Sequence, residues 1–197
     1  GVFLDRLVRE VMLPNNYDGV GGLAGIPGTV GGAIFMNAGT VNGTTCQLLE
    51  SVDVVAGYTA SDQRLLTVSV LPSMYSYRGQ TFCPKGGLIL GGTFRFERAR
   101  ADQCAVYEHY IQRRKDKQPQ GHCCGSVFRN PDGDHAGRLI EACGLKGTRL
   151  GGAIISPMHA NFIMNEDGAT FADVKGLIDL CKRRVAEQFG INLHEEV

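Results

Sequence analysis

Leu23-Ala-Gly-Ile-Pro-Gly-Thr-Val-Gly-Gly-Ala33 is the densest run of glycine in the chain. Pro27 fixes one φ, and Gly28 is free to take φ above zero. Gly31 and Gly32 remove side chains from a stretch about to become helical. Such a turn presents backbone N–H groups at a helix N-terminus, which suits a phosphate or another anion. A tight turn with close helix–strand packing accounts for the same glycines without a ligand. Met36-Asn-Ala-Gly39 continues with small residues, where a flat ligand has room to approach. The pattern is neither GxGxxG nor GxxxxGK[ST], so the standard dinucleotide and P-loop readings fail.

Around this stretch the composition narrows the field. Nine of the 27 glycines lie between residues 14 and 43 of a 197-residue chain. That length suits one large or two small domains, at roughly 100–200 residues each. At 43% hydrophobic and 20% charged, the chain can bury a core. Twenty Lys+Arg balance 20 Asp+Glu, which argues against a nucleic-acid partner, since such proteins carry a basic surplus. No apolar run reaches the length of a membrane span, about 18 residues. Asp5, Arg6, Arg9 and Glu10 interrupt the first residues, unlike a signal peptide. The 7 cysteines contain no CxxC pair, and a reducing compartment is the plain reading. His122-Cys123-Cys124 lacks zinc-site spacing, so no metal is expected.

Periodicity supplies the elements. Leu4, Leu7, Val8 and Val11 recur at helical spacing, so the chain opens inside or just before a helix, as a fragment does. Ser51–Ala56 and Leu65–Val70 read as a β-hairpin, and Leu88–Phe96 as a strand. Ala101–Lys117 reads as a charged helix ended at Gln118-Pro119. Asp134 is placed to cap a short helix through Cys143, closed by Gly144. Ala153–Ile155 and Asn161–Met164 read as strands. Thr170 and Asp173 form a capping box for a helix carrying Val174, Leu177, Ile178, Cys181 and Val185, stopped by Gly190. A composition shift near residue 98 divides a β-rich first part from an α+β second part.

Gly25-Ile-Pro-Gly-Thr-Val-Gly-Gly-Ala33 with Met36-Asn-Ala-Gly39 resembles the flavin-binding segment of the UDP-N-acetylenolpyruvoylglucosamine reductase family. The resemblance continues at Tyr77-Arg78, at Arg113 to Pro119 and at Gly125-Ser-Val-Phe-Arg-Asn-Pro131. It runs on through Ala136 to Gly147, Gly151-Gly-Ala153, His159-Ala-Asn-Phe162 and Phe189-Gly190 to Glu196-Val197. It implies an α+β protein: residues 1–98 the second part of a PCMH-type FAD-binding domain, and 99–190 a smaller UDP-sugar-binding domain. Residues 191–197 then return to the active site. It also implies a fragment without the family's N-terminal FAD subdomain. The implied reaction is reduction of the enol ether of UDP-N-acetylglucosamine enolpyruvate, with FAD as cofactor and NADPH as hydride donor. The implied setting is the bacterial cytoplasm, the partners only these small molecules, and the intact protein a monomer.

The resemblance assigns residues as well. Gly25, Ile26, Pro27, Gly28, Thr29, Gly31, Gly32, Ala33, Asn37, Ala38 and Gly39 match the flavin contacts. Ser126 matches the proton donor, Arg78 the catalytic arginine and Glu196 the C-terminal glutamate. Tyr77, Arg113, Lys117, Asn130 and His159 match substrate contacts, with Arg113 and Lys117 addressing the diphosphate. Two stretches depart from the family pattern. Thr40-Val-Asn-Gly43 stands where the family has Ala-Tyr-Gly. His194 and Glu195 stand where it has Glu and Pro, leaving Glu195 as the alternative to Glu196. Two other readings are a vanillyl-alcohol-oxidase-type flavoenzyme, which lacks the Ser126 motif, and a nucleotide-sugar-binding module without flavin.

Overall fold

The computed structural model describes residues 1–57 and 62–196. Residues 58–61, within the polar link of the expected hairpin, and Val197, the end of the C-terminal match, lie outside the described residues. The chain divides into two compact units, Gly1–Arg113 and Arg114–Val197.

The first unit opens with helix α1, Leu4–Leu7. It widens over Val8–Met12 into i→i+5 bonding, with Leu13 N–H donating to the Val8 carbonyl at 2.9 Å. That widening corrects the expected stripe: Met12, not Val11, turns inward, and Val11 remains exposed. Helices α2 (Val20–Leu23) and α3 (Val30–Phe35) follow. Leu4, Val8, Met12, Val20, Leu23, Ala24 and Ala33 form one core cluster.

Strands β1 (Gly39–Thr40) and β2 (Gly43–Thr44) make a short ladder. The expected hairpin is strands β3 (Leu49–Ala56) and β4 (Arg64–Ser69), paired antiparallel from Ser51↔Ser69 to Ala56↔Arg64. A small hairpin, β5 (Tyr75–Ser76) and β6 (Gly79–Gln80), precedes β7 (Leu88–Phe94). β3 is the centre of the sheet β4-β3-β7. Its inward-facing Val52 and Val54 join Ile34, Cys46, Leu49, Phe82 and Cys83 in a second core, each buried aliphatic contributing about 1.5–3 kcal/mol. β7 ends two residues before the expected Phe96. Phe96 leaves the ladder and stacks on Tyr17, ring centroids 5.1 Å apart.

Helix α4 runs Gln103–Lys117. Asp102 accepts from the Cys104 N–H at 2.9 Å at its start, and Arg114, Lys115 and Lys117 complement the dipole at its end. The division between units falls inside this helix, later than the composition break at 98. The cause is packing: Val106, Tyr107 and Tyr110 lie against the first core.

In the second unit, helix α5 is Ala136–Ala142. Asp134 is not its cap. His135 holds that position, and Asp134 instead accepts from the His135 N–H and pairs with Arg138. Gly144 closes α5 with φ 70°, as expected of a C-terminal glycine. Strands β8 (Arg149–Leu150), β9 (Ala153–Ile155) and β10 (Ile163–Asn165) form an antiparallel sheet in the order β10-β9-β8. Helix α6, Phe171–Phe189, carries the expected capping box, with Thr170 and Asp173 exchanging bonds of 2.9 and 3.2 Å, and Gly190 ends it at φ 68°. Its buried stripe of Leu177, Ile178, Cys181 and Val185 completes the core with Leu139, Ile140 and Ile155.

Candidate functional site

The glycine turn of the first unit is held by its neighbours' main chain. Leu4 N–H donates to the Gly28 carbonyl at 2.9 Å, and Val30 N–H to the Val2 carbonyl at 2.8 Å. Thr29 caps α3, its hydroxyl accepting from the Gly32 N–H at 3.2 Å. The glycines here are not equivalent. A Cβ at Gly22 or Gly39 would lie 2.6 or 2.3 Å from the Gly43 carbonyl, so close packing demands those two. Gly28 is required by its φ of 113°, yet a Cβ there would meet nothing within 4 Å. At Gly31 a Cβ would meet only the Ile89 carbonyl at 3.8 Å. Neither packing nor φ requires glycine at 31, which leaves bare backbone at the start of α3. An open cleft of about 670 Å³ adjoins the turn, lined by Phe3, Asp5, Arg6, Arg9, Glu10, Ile26, Pro27 and Gly28, its two arginines paired with its two carboxylates.

Asn37 ties this stretch to a residue pair far along the chain. It is 2% exposed. Its amide donates to the Ser76 carbonyl at 2.8 Å and its oxygen accepts from the Cys46 N–H at 3.0 Å. Both ends of the side chain are therefore engaged inside the protein, and its role in the site is to fix the β5–β6 hairpin. Tyr77 and Arg78 form the tip of that hairpin. Arg78 has φ 55°, a left-handed conformation that costs a non-glycine residue of order 1–3 kcal/mol. Its guanidinium lies 4.9 Å from the Tyr77 ring centre and donates a long bond of 3.4 Å to the Gly39 carbonyl. Asn37, Gly39, Tyr77 and Arg78 thus meet in one place. Arg113 is exposed near the end of α4, as is Lys117.

Ser126 of the second unit sits where three main-chain segments are fastened together. Val127 N–H donates to the Asn161 carbonyl at 2.8 Å. The Asn161 side chain then clamps Phe128 from both sides, accepting from its N–H at 2.9 Å and donating to its carbonyl at 2.8 Å. The C-terminal segment runs antiparallel along the same stretch: Arg129 N–H donates to the His194 carbonyl at 2.9 Å, and Glu196 N–H to the Val127 carbonyl at 2.8 Å. Glu196 is thereby brought beside the residue that follows Ser126. Glu195 is held elsewhere, its carboxylate 3.0 Å from the Lys182 ammonium of α6. The clamp also explains why β10 begins at Ile163 rather than at Asn161.

Asn130 and His159 both have structural partners. The Asn130 oxygen accepts from the Ala136 N–H at 3.1 Å, satisfying the first turn of α5. His159 Nδ1 accepts from the Asn161 N–H at 3.2 Å, and its ring stands edge-on to Phe162. Burial, the largest effect, holds the His159 imidazole below its ordinary pKa, with Lys146 nearby adding to it. The unfolded chain then binds more protons than the folded one below about pH 6.5. Stability is full above that value and falls as pH drops through the folded pKa. The denaturation midpoint should decline on acidification from neutrality through the ordinary imidazole range, and His159→Gln should flatten that slope. Asp134, held at about 2 chiefly by Arg138, stays ionised in this window. An unchanged slope in the variant would assign the effect to another group. Asn37 and Asn161 were missed as positioning residues by reasoning from sequence. The only available signal was an amide inside an otherwise apolar motif.

A family model described as UDP-N-acetylenolpyruvoylglucosamine reductase, C-terminal domain, matches residues 117–197. A UDP-N-acetylenolpyruvoylglucosamine reductase of Myxococcus xanthus is 45% identical over 201 residues, covering 100% of this chain and 62% of its own length. One from Chlamydia abortus is 42% identical over 189 residues, covering 95% and 62%. The crystal structure of the reductase from Thermus caldophilus superposes with a TM-score of 0.79 at 35% identity, covering 98% of this chain and 68% of that one. The chain belongs to the UDP-N-acetylenolpyruvoylglucosamine reductase family. It spans about three fifths of the length of the curated relatives it matches. Among the described residues no helix is long and apolar enough to cross a membrane, and no group of three His, Cys, Asp or Glu is placed to hold a metal ion.

Proposed function

We propose that this chain carries the substrate unit and part of a PCMH-type FAD-binding domain of an enzyme that reduces UDP-N-acetylglucosamine enolpyruvate to UDP-N-acetylmuramate. The observation that carries this reading is the fastening of Glu196 opposite Val127, the residue after Ser126, which the Asn161 clamp and the returning C-terminus build from three distant segments. The residues present also fit a flavin. Gly28 and Gly31 leave open backbone at the capped start of α3, and Gly25, Ile26, Pro27, Thr29, Gly32, Ala33, Ala38 and Gly39 complete the segment that would hold it. When bound, the flavin supplies to the alkene a hydride taken from NADPH.

The chain's own residues handle charge and proton. The Arg78 guanidinium grips the substrate carboxylate, and its hold strengthens as negative charge spreads into that group. Ser126 delivers a proton to the carbon bearing the carboxylate. A serine hydroxyl is a weak acid, but the developing carbanion is basic enough to take its proton. Glu196 orders the enolate or an active-site water. Arg113 and Lys117 neutralise the diphosphate, with Asn130, His159 and Tyr77 contributing substrate contacts.

Binding to the purified chain tests this directly. It should take up FAD, visible as flavin absorbance that survives gel filtration, and bind UDP-N-acetylglucosamine by calorimetry. Lys117→Ala should weaken sugar-nucleotide binding by about tenfold, the value of one charge-assisted contact of roughly 1.4 kcal/mol. Sugar-nucleotide binding without flavin uptake would favour the module reading, and no binding of either would overturn the proposal.

A further inference from the structure

The loop before Ser126 carries a feature that the reaction does not use. Cys123 and Cys124 are adjacent, reduced and exposed. The loop is anchored at both ends, by the Asn165 N–H on the His122 carbonyl at 2.9 Å and by the Val127 N–H on the Asn161 carbonyl at 2.8 Å. Gly125 takes φ 87°, and a Cβ there would meet nothing within 4 Å. The remaining cysteines do not compete for the role. Cys46, Cys83, Cys143 and Cys181 are buried, and Cys104, though exposed, lies in the other unit.

Ligand number selects the chemistry. A structural zinc needs four donors, and among the described residues no third His, Cys, Asp or Glu joins the pair. An organic trivalent arsenic centre already holds one bond to carbon and needs only two sulfurs, soft donors for a soft element. An oxidant-sensing role is disfavoured, because reactive sensors are low-pKa thiolates. Although the residue as a whole is exposed, partial desolvation of its sulfur pushes the Cys124 thiol up, with the neighbouring Cys123 adding to it.

We propose that Cys123 and Cys124 form a dithiol site that captures organic arsenoxides. The two thiols add to R–As=O, forming two As–S bonds. The oxygen leaves with both thiol protons as one water. Arsenic stays trivalent and neither sulfur is oxidised. The second As–S bond closes within the chain, so its effective concentration far exceeds that of a free thiol. The adduct stands two residues from Ser126.

Phenylarsine oxide and intact-mass spectrometry of the 197-residue chain test this. One equivalent should add with loss of one water, persist in excess 2-mercaptoethanol and leave with 2,3-dimercaptopropanol. Cys104→Ser should keep the monothiol-resistant adduct, whereas Cys123→Ser and Cys124→Ser should each lose it. Both positions are exposed, so the serine variants should keep the parent's circular dichroism. Stripping of the parent adduct by 2-mercaptoethanol, or a resistant adduct on the Cys123→Ser/Cys124→Ser double variant, would overturn the proposal.

Discussion

Replacing Ser126 with alanine should leave reduction of the flavin by NADPH nearly unchanged and slow its reoxidation by the enol ether about 10²–10⁴-fold, the usual range for a lost general acid. That range corresponds to about 3–5 kcal/mol of barrier. The asymmetry follows from where the proposed reaction needs its proton. Hydride transfer from NADPH requires no proton at the substrate carbon, whereas the second half-reaction stalls without one. The substitution should also be structurally mild. This stretch is fastened through Val127, Phe128, Asn161 and Glu196, through main-chain bonds and the Asn161 amide rather than the Ser126 hydroxyl. Stopped-flow absorbance on the gene product that carries this chain separates the two steps. Equal slowing of both would return Ser126 to the status of a loop serine. Asn161→Ala is the contrasting variant: it should lower the denaturation midpoint as well, because it leaves the Phe128 N–H and carbonyl without their partner.

What sequence could reveal depended on whether the cause was local. The capping box at Thr170 and Asp173 and the stop at Gly190 are local, and α6 has those limits. The β3–β4 pairing follows from two β-rich runs. Asp134 failed as a cap because its local signal competed with Arg138, four residues on, while Asn130 took the first N–H of α5. The inward turn of Met12 depends on a change in hydrogen-bond period that a regular helical stripe does not anticipate.

The site shows the same divide. Glycine spacing marked the turn, but could not separate Gly22 and Gly39, demanded by the Gly43 carbonyl, from Gly31, which packing does not require. The choice between Glu195 and Glu196 was open in sequence because both are carboxylates in an altered motif. In the structure Lys182 engages Glu195, and the backbone of Glu196 reaches Val127. The clamp by Asn161 joins residues 33 apart in the chain, so no local pattern announced it.

Arg78→Gly should separate stability from activity. Arg78 is held at φ 55° at the tip of the β5–β6 hairpin, where glycine is unstrained. Relief of about 1–3 kcal/mol of backbone strain opposes the loss of the Tyr77 cation–π contact, roughly 0.5–1 kcal/mol when exposed, and of the long bond to the Gly39 carbonyl. The variant should therefore unfold at a denaturant concentration close to that of the parent. Turnover should nonetheless fall about 10²–10³-fold, as when one preorganised donor to a developing anion is removed. Arg78→Lys keeps the charge but not the paired N–H geometry. It should retain the strain and recover only part of the rate, with the loss in kcat rather than KM, because the grip tightens as the enolate forms. A destabilised glycine variant would show that the arginine stabilises the hairpin more than its backbone strains it. Full turnover in either variant would remove Arg78 from the chemistry. The combination expected here, near-parental stability with lost turnover, has a physical cause: the two-residue tip between Ser76 and Gly79 holds Arg78 at φ 55°, and the proposed reaction uses its guanidinium.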